Sequence, residues 1–83
     1  MLKKNGFGMV LIDVRTDEEF AAGHRECALH FALSRLEAGE LPALPKDTAL
    51  EVYCRSGGRS ERAKDILSAA GFVNVVNGGG FRN

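Results

Sequence analysis

One short segment of the chain gathers the residue types of thiol chemistry. Tyr53-Cys54-Arg55-Ser56-Gly57-Gly58-Arg59-Ser60 places a cysteine, two glycines and two arginines within six residues. The thiolate is the nucleophilic form of cysteine, and positive charge or converging N–H groups favour it. Gly57 and Gly58 permit backbone conformations that turn successive N–H groups inward. A helix opening just after them would aim its unpaired amides the same way. Arg55 and Arg59 add positive charge. The expectation is a Cys54 of lowered pKa, in a cradle that would hold an anionic substrate or a persulfide equally well. Taken one by one, these residues have plain readings too. A cysteine at a strand end is often a small buried hydrophobe, Gly-Gly is often a turn, and surface arginines are commonly solvated. The combination favours chemistry, because a purely structural loop needs no paired arginines around a thiol.

The other soft or titratable residues are sparse. There are two cysteines, Cys27 and Cys54, and two histidines, His24 and His30, with no C-x-x-C or H-x-x-x-H spacing. That set is poor for zinc, and no metal or organic cofactor is expected. Two cysteines are too few for a disulfide scaffold. One bridge stays open, because its geometry cannot be read from spacing. Cys27 reads as a core cysteine, with resolution of an oxidised Cys54 as the alternative. His24 reads as structural rather than as a general base, since a thiolate already formed needs none.

The elements that must position Cys54 follow from apolar runs and stop signals. Met9-Val10-Leu11-Ile12, ending at Asp13, reads as a strand buried on both faces. Thr16 with Glu19 is a capping box, and the acidic turn Asp17-Glu18-Glu19 suits a helix N-terminus that runs on to Ala22 and stops at Gly23. Cys27 to Phe31 reads as a short strand, Ser34 to Ala38 as a short helix, and Leu41 to Pro45 as a loop. Ala49 to Tyr53 is a second clear strand that delivers Cys54. A helix is expected from Ser60, with Ala63, Ile66, Leu67 and Ala70 on one face, until Gly71. Phe72 to Val76 reads as a last strand and Asn77 to Gly80 as a turn. Strands alternating with helices predict an α/β domain with a mostly parallel sheet flanked by helices. Ligands in such sheets bind at the carboxyl ends of the strands, where Cys54 sits.

Composition bounds the function. At 83 residues, 45% hydrophobic and 27% charged, the chain reads as one globular domain over residues 1–83 rather than a disordered segment. Eleven basic and eleven acidic residues cancel, which argues against a nucleic acid or an anionic membrane as partner. No apolar stretch is long enough to span a bilayer. Met1-Leu2-Lys3-Lys4 has the charge of a signal-peptide start, but the apolar run behind it is far too short. The expected location is cytoplasmic. A mature exported protein whose leader had been removed would look much the same.

Two stretches resemble the rhodanese family. Leu11-Ile12-Asp13-Val14-Arg15, with Glu19-Phe20 and Gly23-His24, is similar to the family's "IDVR…E(F/Y)…GH" pattern. Val52 to Ser60, with Ala63, Leu67, Gly71-Phe72 and Val75-Val76-Asn77-Gly78-Gly79, is similar to its "VYC-loop-RS..A...L...GF..V..L.GG" pattern. Together they cover roughly residues 11–80. Between them, Arg25 to Ala32 departs from the family, with only Ala28 in register. The chain resembles the shortest single-domain members, so marginal stability or dimerisation is expected.

The resemblance implies a rhodanese-like three-layer domain and sulfurtransferase activity. Cys54 would be the catalytic residue and would carry a persulfide. Arg55, Ser56, Gly57, Gly58, Arg59 and Ser60 would bind a small anionic donor such as thiosulfate, with Ser60 open as a hydroxyl donor or as the helix N-cap. Asp13 and Arg15 would brace the loops. Cyanide, a thiol or a sulfur-accepting protein would take the sulfur. Three other readings stand beside this one. The first is a persulfide carrier without small-donor activity, and the second a regulatory binding module. The third is a phosphatase or arsenate reductase, whose Cys-x5-Arg spacing meets Ser60 here because Arg59 comes one residue early.

Overall fold

The run Val10–Asp13 forms the first strand, β1, and all four of its residues are buried. Its first three residues are apolar without alternation because both faces of this inner strand are covered. The computed structural model describes residues 8–81, so the charged start Met1 to Lys4 lies outside the described residues. After β1 come α1 (Asp17–Ala22), β2 (Leu29–His30), α2 (Leu33–Glu37), β3 (Leu50–Cys54), α3 (Gly58–Ala69) and β4 (Val75–Gly80). The strands stand in the order β2-β1-β3-β4, and every pairing is parallel. This is the α/β arrangement expected. Among the described residues no helix is long and apolar enough to cross a membrane.

One face of the sheet carries the apolar core. Val10, Ile12 and Val14 from the first strand and its exit meet Leu50, Val52 and Cys54 from β3, and Leu36, Ala63 and Leu67 from α2 and α3 cover them. The sulfur therefore belongs to the same buried layer as the aliphatic side chains. Alternation along β3 sends Tyr53 to the opposite face, where Asp13 also points.

Local signals fix the helix ends. The Thr16 hydroxyl accepts from the Glu19 N–H at 3.2 Å, and the Glu19 carboxylate accepts from the Thr16 N–H at 3.1 Å, so the capping box is complete. Helix α3 ends with Phe72 N–H donating back to the Leu67 carbonyl at 3.0 Å. Phe72 and Leu67 then meet in the core, the apolar contact of a Schellman motif.

Three boundaries differ from the sequence reading. Strand β2 holds only Leu29 and His30, because Cys27 sits in a turn with φ of +69° and leaves the extended conformation. Helix α3 opens at Gly58 rather than Ser60, with Gly57 as N-cap at φ +100°. Strand β4 runs from Val75 to Gly80, so Phe72 is outside it and Asn77 to Gly80 are paired rather than turning. Two of the three glycines read as a turn are there for close approach: a Cβ on Gly80 would overlap the Arg55 carbonyl, and one on Gly78 the Glu51 carboxylate.

Candidate active site

Cys54 is the last residue of β3 and is 0% exposed. Its carbonyl accepts from the Phe81 N–H at 2.7 Å, which ties the strand end to the exit of β4. The chain then turns through Arg55 and Ser56 to Gly57, whose left-handed backbone suits glycine and sends its N–H back to the sulfur at 2.9 Å. The Ser60 hydroxyl lies 3.5 Å from the same sulfur. No side chain caps α3. The Cys54 sulfur stands where an N-cap acceptor would, facing the free amides of the first turn.

This cradle shifts the thiol. Burial pushes the Cys54 pKa up, but hydrogen bonds from the Ser60 hydroxyl and from the backbone at Ser60, Ser56 and Gly57 outweigh it and leave the thiol below its ordinary value. The amides and the hydroxyl lead that balance, not the arginines on which the sequence reading leaned.

Arg59 is already engaged. Its guanidinium donates to both Glu19 oxygens, at 2.6 and 2.9 Å, joining the start of α3 to α1. Those bonds from Arg59 hold the Glu19 carboxyl down at about 2. Arg59 also forms part of the wall of a hollow of about 350 Å³ between α1, α2 and α3, with Thr16, Ser34 and Glu37. Arg55 and Gly58 are exposed beside the loop, as is Ser56. The structure thus brings Cys54, Ser56, Gly57, Arg59 and Ser60 to one corner of the sheet.

Asp13 and Arg15 lie beneath this corner, on the opposite face of the sheet. They are 0% and 2% exposed and form a bidentate pair, with Arg15 donating to Asp13 at 2.7 to 3.1 Å. Arg15 also donates to the Gly23 carbonyl at 2.7 Å, and the Tyr53 hydroxyl donates to Asp13 at 2.8 Å. Tyr53 in turn accepts from the Arg25 N–H at 2.9 Å. Burial pulls the Asp13 carboxyl upward, but the Arg15 bonds outweigh it and leave it below its ordinary value. Burial pushes the Tyr53 phenol up to about 12. The network joins the end of β1, the exit of α1 and β3.

His24 is exposed, stacks on Phe20 at 3.7 Å and sits 2.9 Å from the Phe20 carbonyl through Nδ1. Cys27 and Cys54 are both free thiols. Among the described residues, no three His, Cys, Asp or Glu side chains come together as metal ligands would. Sequence reading missed three contributors: Glu19, Tyr53 and Asn77. Glu19 was accounted for by its capping box, which hid its second partner. Asn77 lay in a glycine run read as a turn.

The chain matches the rhodanese-like domain family over residues 1–82. It is 36% identical over 73 residues to the thiosulfate sulfurtransferase PspE of Escherichia coli, covering 87% of this chain and 70% of that protein. Its fold is similar to the human single-domain sulfurtransferase TSTD1, with a TM-score of 0.80 and 27% identity over 92% of this chain and 79% of that one. A structure described as a rhodanese with anions, from E. coli, gives a TM-score of 0.74 and 33% identity over 87% of this chain and 86% of that one.

Proposed function

Because the chain belongs to the rhodanese-like domain family, we propose that it is a sulfurtransferase that passes sulfane sulfur through a persulfide on Cys54. The observation that carries this reading is the sulfur at the end of β3, met by the Gly57 N–H at 2.9 Å and held below the ordinary thiol value. A thiolate needs no separate base. The Cys54 thiolate attacks the outer sulfur of thiosulfate. The S–S bond of the donor breaks, and its electron pair leaves on sulfite. A persulfide remains on Cys54, and the negative charge on its terminal sulfur draws on the backbone amides of Ser56, Gly57 and Ser60 that already favour the thiolate. A thiol or cyanide then attacks that terminal sulfur, and the electron pair returns to Cys54 as thiolate. No metal or organic cofactor takes part.

Thiosulfate as donor draws support from the name of the E. coli relative PspE. Arg55, exposed on the loop, attracts the dianion. Arg59 does so less than its charge suggests, because Glu19 shares that charge. Asp13 and Arg15 act through the loops they brace.

The test is sulfur loading. The protein is incubated with thiosulfate, desalted and weighed intact beside Cys54→Ser. The expected result is a gain of about 32 Da, absent in the variant and removed by cyanide, as covalent catalysis requires. A folded protein with a reactive Cys54 and no gain would refute thiosulfate as donor and favour loading by a partner protein. An unreactive Cys54 would refute the reading altogether.

A further inference from the structure

The Asn77 side chain makes four hydrogen bonds beneath the loop, and the sulfur-transfer steps above use none of them. Its Oδ1 accepts from the Ser60 hydroxyl at 2.7 Å and from the Gly79 N–H at 2.9 Å. Its Nδ2 donates to the Gly57 carbonyl at 3.1 Å and to Glu61 Oε1 at 3.0 Å. These partners fix which end is oxygen, since a backbone N–H faces one end and two acceptors face the other.

Ser60 has one hydroxyl proton and three acceptors around it. Asn77 Oδ1 lies at 2.7 Å, the Gly57 carbonyl at 3.0 Å and the Cys54 sulfur at 3.5 Å. The shortest bond takes the proton, and Ser60 then meets the sulfur with a lone pair, as the acceptor of the thiol proton. A thiolate requires the reverse: the hydroxyl must turn from Asn77 to the sulfur. That turn orphans nothing. Asn77 Oδ1 keeps the Gly79 N–H, and the Gly57 carbonyl keeps Asn77 Nδ2.

We propose that Asn77 is a positioning residue that holds the Ser60 hydroxyl in competition with the Cys54 sulfur, and thereby sets how readily the thiol ionises. The proposal rests on Cys54 being the reactive sulfur. The charged groups around this corner are known. From α3 come Glu61, on Asn77, and Arg59, tied to Glu19 of α1. Arg55 stands in the loop, and Asp13 of β1 is tied to Arg15. Strand β4 brings no titratable side chain to the sulfur. None of these groups accepts the Ser60 proton, so Asn77 is the lever.

The experiment is a double-mutant cycle read by the pH dependence of alkylation with iodoacetamide. Asn77→Ala frees the hydroxyl, and the charged thiolate outcompetes the neutral Gly57 carbonyl for it. The midpoint should fall by roughly half to one pH unit, the worth of one hydrogen bond. Ser60→Ala should raise the midpoint, and Asn77→Ala added to it should move the midpoint no further. A midpoint that rises in Asn77→Ala, or that moves equally with and without Ser60, would overturn the proposal and leave Asn77 as a tie that merely holds the loop. If Asn77→Ala loses its circular-dichroism spectrum, Asn77→Asp decides. It keeps an acceptor for Ser60, so it should raise the midpoint more with Ser60 present than in Ser60→Ala, and an equal rise would overturn the proposal. Alkylation needs no sulfur donor, so a protein that never loads from thiosulfate still answers the question.

Discussion

The Gly57 N–H donates to the Cys54 sulfur at 2.9 Å and the Ser60 hydroxyl stands 3.5 Å from it, whereas Arg59 spends its guanidinium on Glu19. Neutral dipoles close to a buried sulfur act through little intervening solvent, so they outweigh a cation already paired. Two outcomes follow at this scale. The alkylation rate of the wild-type protein should rise with pH to a midpoint below the ordinary thiol value of about 8.5. A midpoint at or above that value would contradict the lowered pKa. Arg59→Ala should slow loading from thiosulfate by only roughly two- to fivefold, because the charge it removes is already shared with Glu19. It should leave the rate with neutral iodoacetamide nearly unchanged. Equal slowing of both would mean that Arg59 serves only to tie α3 to α1.

At the scale of elements, the sequence was most readable where a single local rule acts. The apolar run of β1, the Thr16–Glu19 capping box and the stop of α3 at Gly71 each follow from neighbours in the chain, and each is found. The loop around Cys54 was legible as a cradle for the same reason, since its glycines and the helix behind it are contiguous. What stayed hidden depends on partners far along the chain. The Glu19–Arg59 pair spans 40 positions, and the Ser60–Asn77 bond spans 17. The glycines of β4 were read as a turn because the chain alone does not reveal that Glu51 presses against Gly78 and Arg55 against Gly80. Gly80→Ala tests that account. A methyl there must displace the Arg55 carbonyl, so the variant should lose roughly 1–3 kcal/mol of stability in urea denaturation. It should also slow sulfur loading, because the displaced residue begins the loop. An unchanged denaturation midpoint would mean the strand can move aside.

For the whole molecule, the buried Asp13–Arg15 pair and its Tyr53 partner carry the largest single liability. Asp13→Ala leaves a guanidinium buried without its counter-charge and should cost about 3–5 kcal/mol, against a typical total of about 5–15 kcal/mol for a domain. Denaturant unfolding measures this, and a loss below about 1 kcal/mol would mean that Arg15 finds another partner. The same carboxylates set the acid limit. Asp13 and Glu19 both have lowered pKa values in the folded protein, Glu19 to about 2. A depressed carboxyl stabilises the fold above its unfolded value, and that contribution fades as pH falls towards the folded one. The melting temperature should therefore be insensitive to these two groups near neutral pH and drop below about pH 4. Insensitivity down to pH 2 would show that neither pair supports the fold. Strand β3 couples this scaffold to the chemistry in one step, with Tyr53 facing the brace and Cys54 facing the core. That adjacency limits how the gene can drift. Loss or gain of one codon inside β3 would exchange the two faces, put a phenol where the sulfur belongs and sever the brace at once. Length variation among descendants of this sequence should therefore collect in the loop between α2 and β3, and spare the stretch from Leu50 to Gly58.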